Sequence, residues 1–345
     1  MEHIAIDLGA RESQVCVRTP EGEIALEVRR PTQALRIFLA GRPTSRVVLE
    51  TCAEAFAVAT VAQELGHEVV VVPAGLVRAL GVGTRGLKTD VRDARHLSEA
   101  SCRMKRLPRV HVPQPRSRAR KAECVLREAL VETRTKLINT ARAWLRTEGL
   151  GPVRRGSPGT VVARLRAHVA AHGQAVPPAL ERVLGTIEQL TPVITAADAA
   201  LATLAASDPI CQRLMTVPGV GPVTAVRFAA TIDDVHRFDS AAAVQSYLGL
   251  VPSEHSSADQ RRLRGITKAG AVHTRWALVQ AAWCLWRCRP QDPIVHWAQR
   301  VAARRGRPIA AVALARKLAG VLFAMWRDGT DYDPTPRPPR APRPA

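Results

Sequence analysis

His3-Ile4-Ala5-Ile6-Asp7-Leu8-Gly9 alternates strand-forming residues and then ends on a carboxylate and a glycine. Alternation with period two places successive side chains on opposite faces of a strand. The same pattern returns from Ser13 to Arg18 and from Glu23 to Val28, with turn formers in the breaks Gly9-Ala10-Arg11 and Thr19-Pro20-Glu21-Gly22. Three short strands so closely linked predict an antiparallel meander. Further along, the pattern predicts a helix from Thr32 to Ala40, an apolar strand from Arg46 to Glu50, a helix from Glu54 to Leu65, a strand from Glu68 to Val72 and a short helix from Ala74. Strands separated by helices predict parallel neighbours covered on both faces.

Three antiparallel strands followed by parallel ones, with helices on the faces, is the ribonuclease H topology, so residues 1–95 are expected to form an α/β domain. The rest of the chain is expected to be all-α. Apolar residues at helical spacing run through Arg116 to Leu150 among many cations, which predicts a long coiled-coil-like arm within residues 96–156. Gly151 to Gly159 breaks that helix and reads as a hinge. Helices resume from Thr160 to His172 and from Pro178 to Ala206, giving a helical linker region over 157–207. Residues 208–330 form the expected C-terminal domain, and 331–345 a disordered tail in which Pro alternates with Arg.

Charge narrows the partner. The 345 residues carry 50 Lys and Arg against 30 Asp and Glu, a net charge of +20. It is segregated: residues 1–95 hold 12 of each sign, 96–156 hold 15 cations against 5 anions, 157–207 hold 3 of each, and 208–345 hold 20 against 10. Two basic blocks rich in Arg, which forks onto phosphate, predict a polyanionic partner. With 46% hydrophobic residues the chain can build cores, which excludes a disordered protein. The stretch Ile309 to Trp326 is the best candidate for a spanning helix, but it carries Arg316 and Lys317 in its middle. Glu2 and Asp7 stand where a secretory leader would be cationic and then apolar, so a cytosolic protein away from the membrane is expected. The seven cysteines are scattered without a Cys-x-x-Cys pair, and are expected to be packing thiols rather than a disulfide or zinc framework.

Four carboxylates carry the chemistry of the first domain. Asp7 ends the first strand, and Glu50 ends the strand that this topology places beside it. Asp90 and Asp93 in Lys88-Thr89-Asp90-Val91-Arg92-Asp93-Ala94 share a helix face at three-residue spacing. Hard oxygen ligands converging on one point repel unless cations sit among them, and Mg²⁺ suits carboxylate and phosphate oxygens. Lys88 and Arg92, beside these carboxylates, are expected to contact nucleic acid.

Two further signals lie in the C-terminal block. Met215-Thr216-Val217-Pro218-Gly219-Val220-Gly221-Pro222 reads as the hairpin of a helix-hairpin-helix, in which Gly219 and Gly221 bring backbone close to a phosphate at the start of a helix. Ser256 and Ser257 precede Arg261, Arg262, Arg264 and Lys268, a setting in which a hydroxyl can attack a phosphodiester while cations hold the developing charge. Residue chemistry alone leaves three functions open: a recombinase using both sites, a metal-dependent junction resolvase or endonuclease without the serine step, and a non-catalytic nucleic-acid scaffold.

Asp7, Glu50 and the Lys88 to Ala94 stretch, then Pro218-Gly219-Val220-Gly221-Pro222, then Gly249-Leu250-Val251-Pro252-Ser253-Glu254-His255-Ser256-Ser257 and Gly265-Ile266-Thr267-Lys268-Ala269-Gly270, resemble the DEDD insertion-sequence transposases guided by a bridge RNA. The resemblance runs from residue 3 to about residue 326. It implies a RuvC-like N-terminal domain whose tetrad Asp7, Glu50, Asp90 and Asp93 binds Mg²⁺, a coiled-coil arm, and a C-terminal transposase domain whose serine links covalently to DNA. Carried over, that serine is Ser256, with Ser257 second. It further implies donor and target DNA, a bridge RNA and a dimer or tetramer in the bacterial cytosol and nucleoid. Ala258 stands where the family usually has Gly after the serine pair, and Ala271 where it often has Asn.

Overall fold

The computed structural model of the chain describes residues 1–77, 89–154, 156–157, 159–254 and 263–335. It divides into two compact units, Met1–Pro115 and Arg116–Ala345.

In the first unit, β1 (His3–Asp7), β2 (Glu12–Arg18) and β3 (Ile24–Pro31) form the antiparallel meander, while β4 (Arg46–Glu50) and β5 (Glu68–Val72) extend the sheet from the other side of β1 as parallel strands. The order is β3-β2-β1-β4-β5. Helix α1 (Leu35–Ala40) precedes β4, α2 (Ala55–Glu64) joins β4 to β5, α3 (Ala74–Val77) follows β5, and α4 (Asp90–Arg103) comes last. Strand alternation divides the core in two. Ile4, Ile6, Val47 and Leu49 pack with Leu35 and Leu39 of α1 and Ala59 and Ala62 of α2, whereas Ala5, Val48, Val70 and Val72 pack with Leu97 of α4 on the opposite face. Each large apolar side chain so buried contributes about 1.5–3 kcal/mol. A one-residue slip of β1 would exchange the two faces and carry Asp7 to the wrong one.

The second unit is helical. It begins with α5 (Pro115–Thr147), α6 (Val161–Ala171) and α7 (Pro178–Ala206). α5 and α7 run antiparallel. Arg127 of α5 meets Asp198 of α7 at 2.8 Å, and nearer the far end Ile138, Ala141 and Leu145 share a core with Leu165 of α6 and with Leu184 and Ile187 of α7. The helices before and after Gly151 to Gly159 therefore share one core within this unit, so the stretch is not the hinge between domains that its glycines and prolines suggested. Leu150 and Val153 are part of the same core, and the Leu150 carbonyl lies 2.7 Å from His168 Nε2.

The remaining elements are α8 (Pro209–Met215), α9 (Pro222–Ile232), α10 (Ala241–Tyr247), the paired strands β6 (Pro252–Glu254) and β7 (Leu263–Ile266), and then α11 (Val272–Cys288), α12 (Pro293–Arg305) and α13 (Arg307–Asp328). Phe228 of α9, Leu278 and Leu285 of α11 and Leu314, Leu318 and Phe323 of α13 lie in the main core. The β6–β7 pair was not foreseen, because three- and four-residue strands in a polar stretch carry too few alternations to register. By length and composition α7 and α13 could each cross a membrane. The apolar face of α13 is taken up by the core, and Leu184, Ile187 and Leu201 of α7 are buried in the unit's helical cores.

Asp208 holds the start of α5 to this assembly. It is 1% exposed, caps α8 by accepting the Ile210 N–H at 2.8 Å, and pairs with Arg116 at 3.1 Å and with Arg120. Arg120 is itself buried. Asp208→Ala leaves that guanidinium uncompensated and removes the cap, so a loss of about 3–5 kcal/mol is expected in urea unfolding.

Candidate functional site

The seating of α4 decides what lies at the carboxylate end of the sheet. Ser101 near its C-terminus bonds His3 at the start of β1, with Oγ to Nδ1 at 2.7 Å. One turn earlier, Ser98 Oγ accepts Arg18 Nε–H at 2.9 Å and lies 3.2 Å from Cys16 Sγ. Cys16 pairs with Ala5 and Arg18 with His3, so α4 runs antiparallel to β1. The eight residues from Ser101 back to Asp93 rise about 12 Å, and the four from His3 to Asp7 span about 13 Å. Asp93 therefore lies toward the same end of the sheet as Asp7.

Alternation supplies the face. Asp7 follows Ala5 at period two and Glu50 follows Val48, and both Ala5 and Val48 face α4. Ile6 pairs with Leu49, so the two carboxylates end adjacent parallel strands side by side. Asp93 is buried at 6% exposure, on the α4 stripe that holds Ala94, Leu97, Ser98 and Ser101. Asp90 lies one turn further out and is exposed. Thr89 caps the helix, its hydroxyl accepting the Arg92 N–H at 3.3 Å, while the Arg92 side chain is exposed. Lys88 is outside the described residues. Beyond Asp7 the chain turns sharply. A Cβ on Gly9 would stand 2.4 Å from the Glu12 carbonyl oxygen, and the Thr32 hydroxyl donates to the Gly9 carbonyl at 2.6 Å.

Groups around this face are set by burial and by Arg95. Burial pushes the Cys16 thiol above its usual range. Arg95 forks onto Glu27, both bonds at 2.5 Å, and holds that carboxyl below its ordinary value.

In the second unit, Thr216 to Gly221 joins α8 to α9. Gly219 has φ +92°, and a Cβ there would strike the Ala281 carbonyl oxygen at 2.7 Å and the Leu285 amide nitrogen at 2.8 Å on α11. Its glycine is thus required for packing against a neighbouring helix. Gly221 differs: it is exposed, it is the N-cap residue of α9, and nothing lies within 4 Å of an added Cβ.

Arg275 of α11 organises the segment that carries the serines. The residue is 8% exposed, and its guanidinium donates to the carbonyls of Leu248 and Ala269, each at 2.9 Å, and of Lys268 at 3.0 Å. Gly249 and Gly270 have φ of +65° and +73°, and Cβ atoms there would lie 2.1 Å from the Ala269 carbonyl oxygen and 2.2 Å from that of Tyr247. Both ends of residues 249–270 are fastened in this way, and Ser253 Oγ donates to the Gly265 carbonyl at 2.8 Å between β6 and β7. Ser256, Ser257, Arg261 and Arg262 fall in the connection between these strands, outside the described residues, as does the side chain of Arg264. Lys268 is exposed at φ +56°.

Residues 4–148 match the DEDD-type IS110 transposase model, and residues 211–295 match the model described as the transposase IS116/IS110/IS902 family. A "Probable family 20 transposase" of Pseudomonas aeruginosa is 30% identical, with 97% of this chain and 99% of the relative covered. The transposase for insertion sequence element IS1328 of Yersinia enterocolitica is 31% identical, with 95% of this chain and 98% of the relative covered.

The chain belongs to the IS110/IS116/IS902 family of transposases. It is a DNA-processing enzyme whose family cleaves and rejoins DNA, and a DEDD-type domain points to use of a divalent metal. The first match contains all four carboxylates and the second contains the hairpin and both serines.

One cluster in this transposase gave no sequence signal. Among the described residues, the group of three potential ligands whose donor atoms all lie within 4.8 Å of one another is Glu128 and Glu132 of α5 with His273 of α11, and not the tetrad. Carboxylates of like charge stand apart unless cations separate them. In the cluster, Glu128 Oε2 already has the buried Arg227 guanidinium at 3.0 Å and His273 Nδ1 at 2.8 Å. Its charge is thus met from within the protein. Helical spacing reveals Glu128 and Glu132, but His273 lies 141 positions beyond Glu132, and only tertiary structure joins them.

The two hairpin glycines should separate in experiment. Gly219→Ala forces a Cβ into the backbone of α11 at a positive φ and is expected to destabilise the transposase by about 2–4 kcal/mol. Gly221→Ala should leave the melting temperature within the range of a surface change, about ±0.5 kcal/mol. Thermal unfolding of the two variants checks both.

Proposed function

We propose that this transposase is a recombinase that exchanges DNA strands with Mg²⁺ held by Asp7, Glu50, Asp90 and Asp93 and with Ser256 as nucleophile, Ser257 being the second candidate. The observation that carries the proposal is the agreement of three independent constraints at one end of the sheet. Adjacent parallel strands end on Asp7 and Glu50, period two turns both toward α4, and the register given by the Ser98 and Ser101 contacts supports Asp93 joining them. This supports a ribonuclease H-like, RuvC-like catalytic domain. The donor set is made of hard oxygens, which fits Mg²⁺ better than a softer ion. A divalent cation bound there would neutralise charge on the attacking and leaving oxygens of a phosphodiester.

The serine step proceeds by attack of the hydroxyl oxygen on phosphorus. A phosphorus–oxygen bond to serine forms, the bond to one DNA oxygen breaks, and reversal onto a different strand end rejoins DNA and frees the serine. Arg261, Arg262, Arg264 and Lys268 are the cations at hand for the phosphoryl oxygens. The fastening of residues 249–270 by Arg275 supports a catalytic segment here, since a reacting hydroxyl needs a fixed platform.

The Thr216 to Gly221 connection is proposed as a helix-hairpin-helix that takes a phosphate on the first amides of α9, with Gly221 at the point of approach. The basic helical stretch within residues 96–156, which includes α5, is proposed as a coiled-coil arm lying along a nucleic-acid backbone, and the transposase as a dimer or tetramer. Donor and target DNA are the substrates, a bridge RNA is the guide, and the site of action is the bacterial cytosol and nucleoid. Lys88, Arg92 and Lys268 are further nucleic-acid contacts, supported by the Arg-rich charge excess.

Asp7→Asn should abolish cleavage and strand transfer while the fold is kept, and Ser256→Ala should keep DNA binding yet lose the protein–DNA adduct on a denaturing gel. Full recombination by Asp7→Asn in Mg²⁺ would sink the metal assignment. An adduct that persists in Ser256→Ala and vanishes in Ser257→Ala moves the nucleophile by one residue.

The guide is tested separately. RNA copurifying with the purified transposase should be one discrete species whose sequence pairs with both the element's end and its target; recovery of only bulk cellular RNA would remove the bridge RNA from the scheme.

A further inference from the structure

The end of the sheet opposite the carboxylates carries a concentration of positive charge. β4 runs from Arg46 to Glu50, so its first residue lies about 13 Å from its last. Arg46 pairs with Glu68, the first residue of β5: Nη2 donates to Glu68 Oε1 at 2.9 Å, and Nη1 donates to the Ser101 carbonyl at 3.5 Å. The Arg46 side chain is 19% exposed, and its Nε–H is buried with no acceptor among the described residues. A buried guanidinium donor left in this way is costly unless a ligand supplies the acceptor.

The chain leaving α4 passes over this end. Arg103 to Arg109 holds four cations and no acidic residue in seven positions. The segment is fastened to the sheet: Leu107 is buried in one core cluster with Val70 and Val72, and the Val110 N–H donates to the Val71 carbonyl at 2.8 Å. Lys105, Arg106 and Arg109 are exposed, and their side chains make no ion pair among the described residues. Elsewhere in the unit Arg29, Arg36 and Arg95 are paired with Glu12, Glu64 and Glu27. With Arg46 and Glu68, the three unpaired cations line a cavity of about 360 Å³, in which four positive charges meet one carboxylate. Such a set attracts an anion, and guanidinium forks match the oxygens of a phosphate.

We infer that this cavity is a phosphate-binding site for the backbone of DNA, in which Lys105, Arg106 and Arg109 meet the phosphate oxygens and the recessed Arg46 adds its unused donor. Glu68 holds Arg46 in place and offsets one of the charges. The partner is recognised by its backbone charge, so no base sequence is read here. Lying at the far end of β4 from Glu50, the site holds DNA without touching the reacting atoms, and it depends on neither the metal assignment nor the serine assignment.

Fluorescence anisotropy with a short labelled DNA duplex, titrated across salt, tests this on the full-length transposase. Lys105→Gln, Arg106→Gln and Arg109→Gln combined should shallow the slope of log affinity against log salt by about 2–3, with a loss of affinity of about tenfold at moderate salt. Thermal unfolding should stay that of the parent, because all three side chains are exposed. Arg29→Gln, Arg30→Gln and Arg36→Gln combined remove the same charge from exposed positions on β3 and α1, and should change the slope by less than about 1. Glu68→Gln removes the carboxylate that repels phosphate and should tighten binding by about two- to threefold, a gain that damage to the fold does not produce. An unchanged slope in the first triple variant, or a shift as large in the second, overturns the site. Calorimetric titration with inorganic phosphate separates a free anion from a backbone. Saturation in the millimolar range that the first triple variant abolishes, with the DNA slope unmoved, would give the cavity to a free phosphate and overturn the DNA contact. Anisotropy reads binding and not strand transfer, so failure of the metal or serine assignment leaves these outcomes as they are.

Discussion

Ser98 and Ser101 seat α4 on the face of the sheet over β1 and β2, and most of what can happen at the carboxylate end of the sheet depends on that seating. Apolar packing holds α4 against the sheet through Leu97, which meets Ala5, Val48, Val70 and Val72, and hydrogen bonds add a second constraint along the helix axis. Hydrogen bonds to fixed partners cannot slide. Ser101 has one imidazole to meet and Ser98 one guanidinium, and each bond is worth about 1 kcal/mol, more where the partner is charged. Together they lock the longitudinal position of α4, and a carboxylate two turns away inherits it.

The same use of buried polar contacts to fix a register recurs in the helical unit. Arg275 reaches three carbonyls at the two ends of a 22-residue stretch, and Asp208 meets two arginines and a helix N-terminus. Each of these groups is buried, so each is costly if deprived of its partners. They stabilise less than the hydrophobic core does, but they exclude alternatives that the core would tolerate.

The strands of the first unit were readable in the sequence because one alternation per residue leaves little ambiguity, and Arg46–Glu50 and Glu68–Val72 fall where the pattern put them. That Asp7 and Glu50 end neighbouring parallel strands was readable for the same reason: strand ends are local facts, and topology does the rest. What escaped were facts of long range. Nothing near Gly219 in sequence announces that α11 lies against it, so its glycine looked like a sign of phosphate approach. Gly151 to Gly159 looked like a joint because glycine and proline mark any break, and only the pairing of α5 with α7 shows that the chain doubles back there. Tyr332 sat in a stretch whose composition speaks of disorder, yet one aromatic ring with a buried carboxylate in reach suffices to hold it.

The clamp on residues 249–270 bears on how such a protein changes over time. A segment fixed at both ends by a single arginine and by two glycines in left-handed conformations is joined to the core at those same ends: Leu250 is buried in the main core and Ile266 packs against it. Changes at Leu250 or Ile266 therefore reach the helices through lost burial, and changes at Arg275, Gly249 or Gly270 through the close backbone approach that these three residues satisfy.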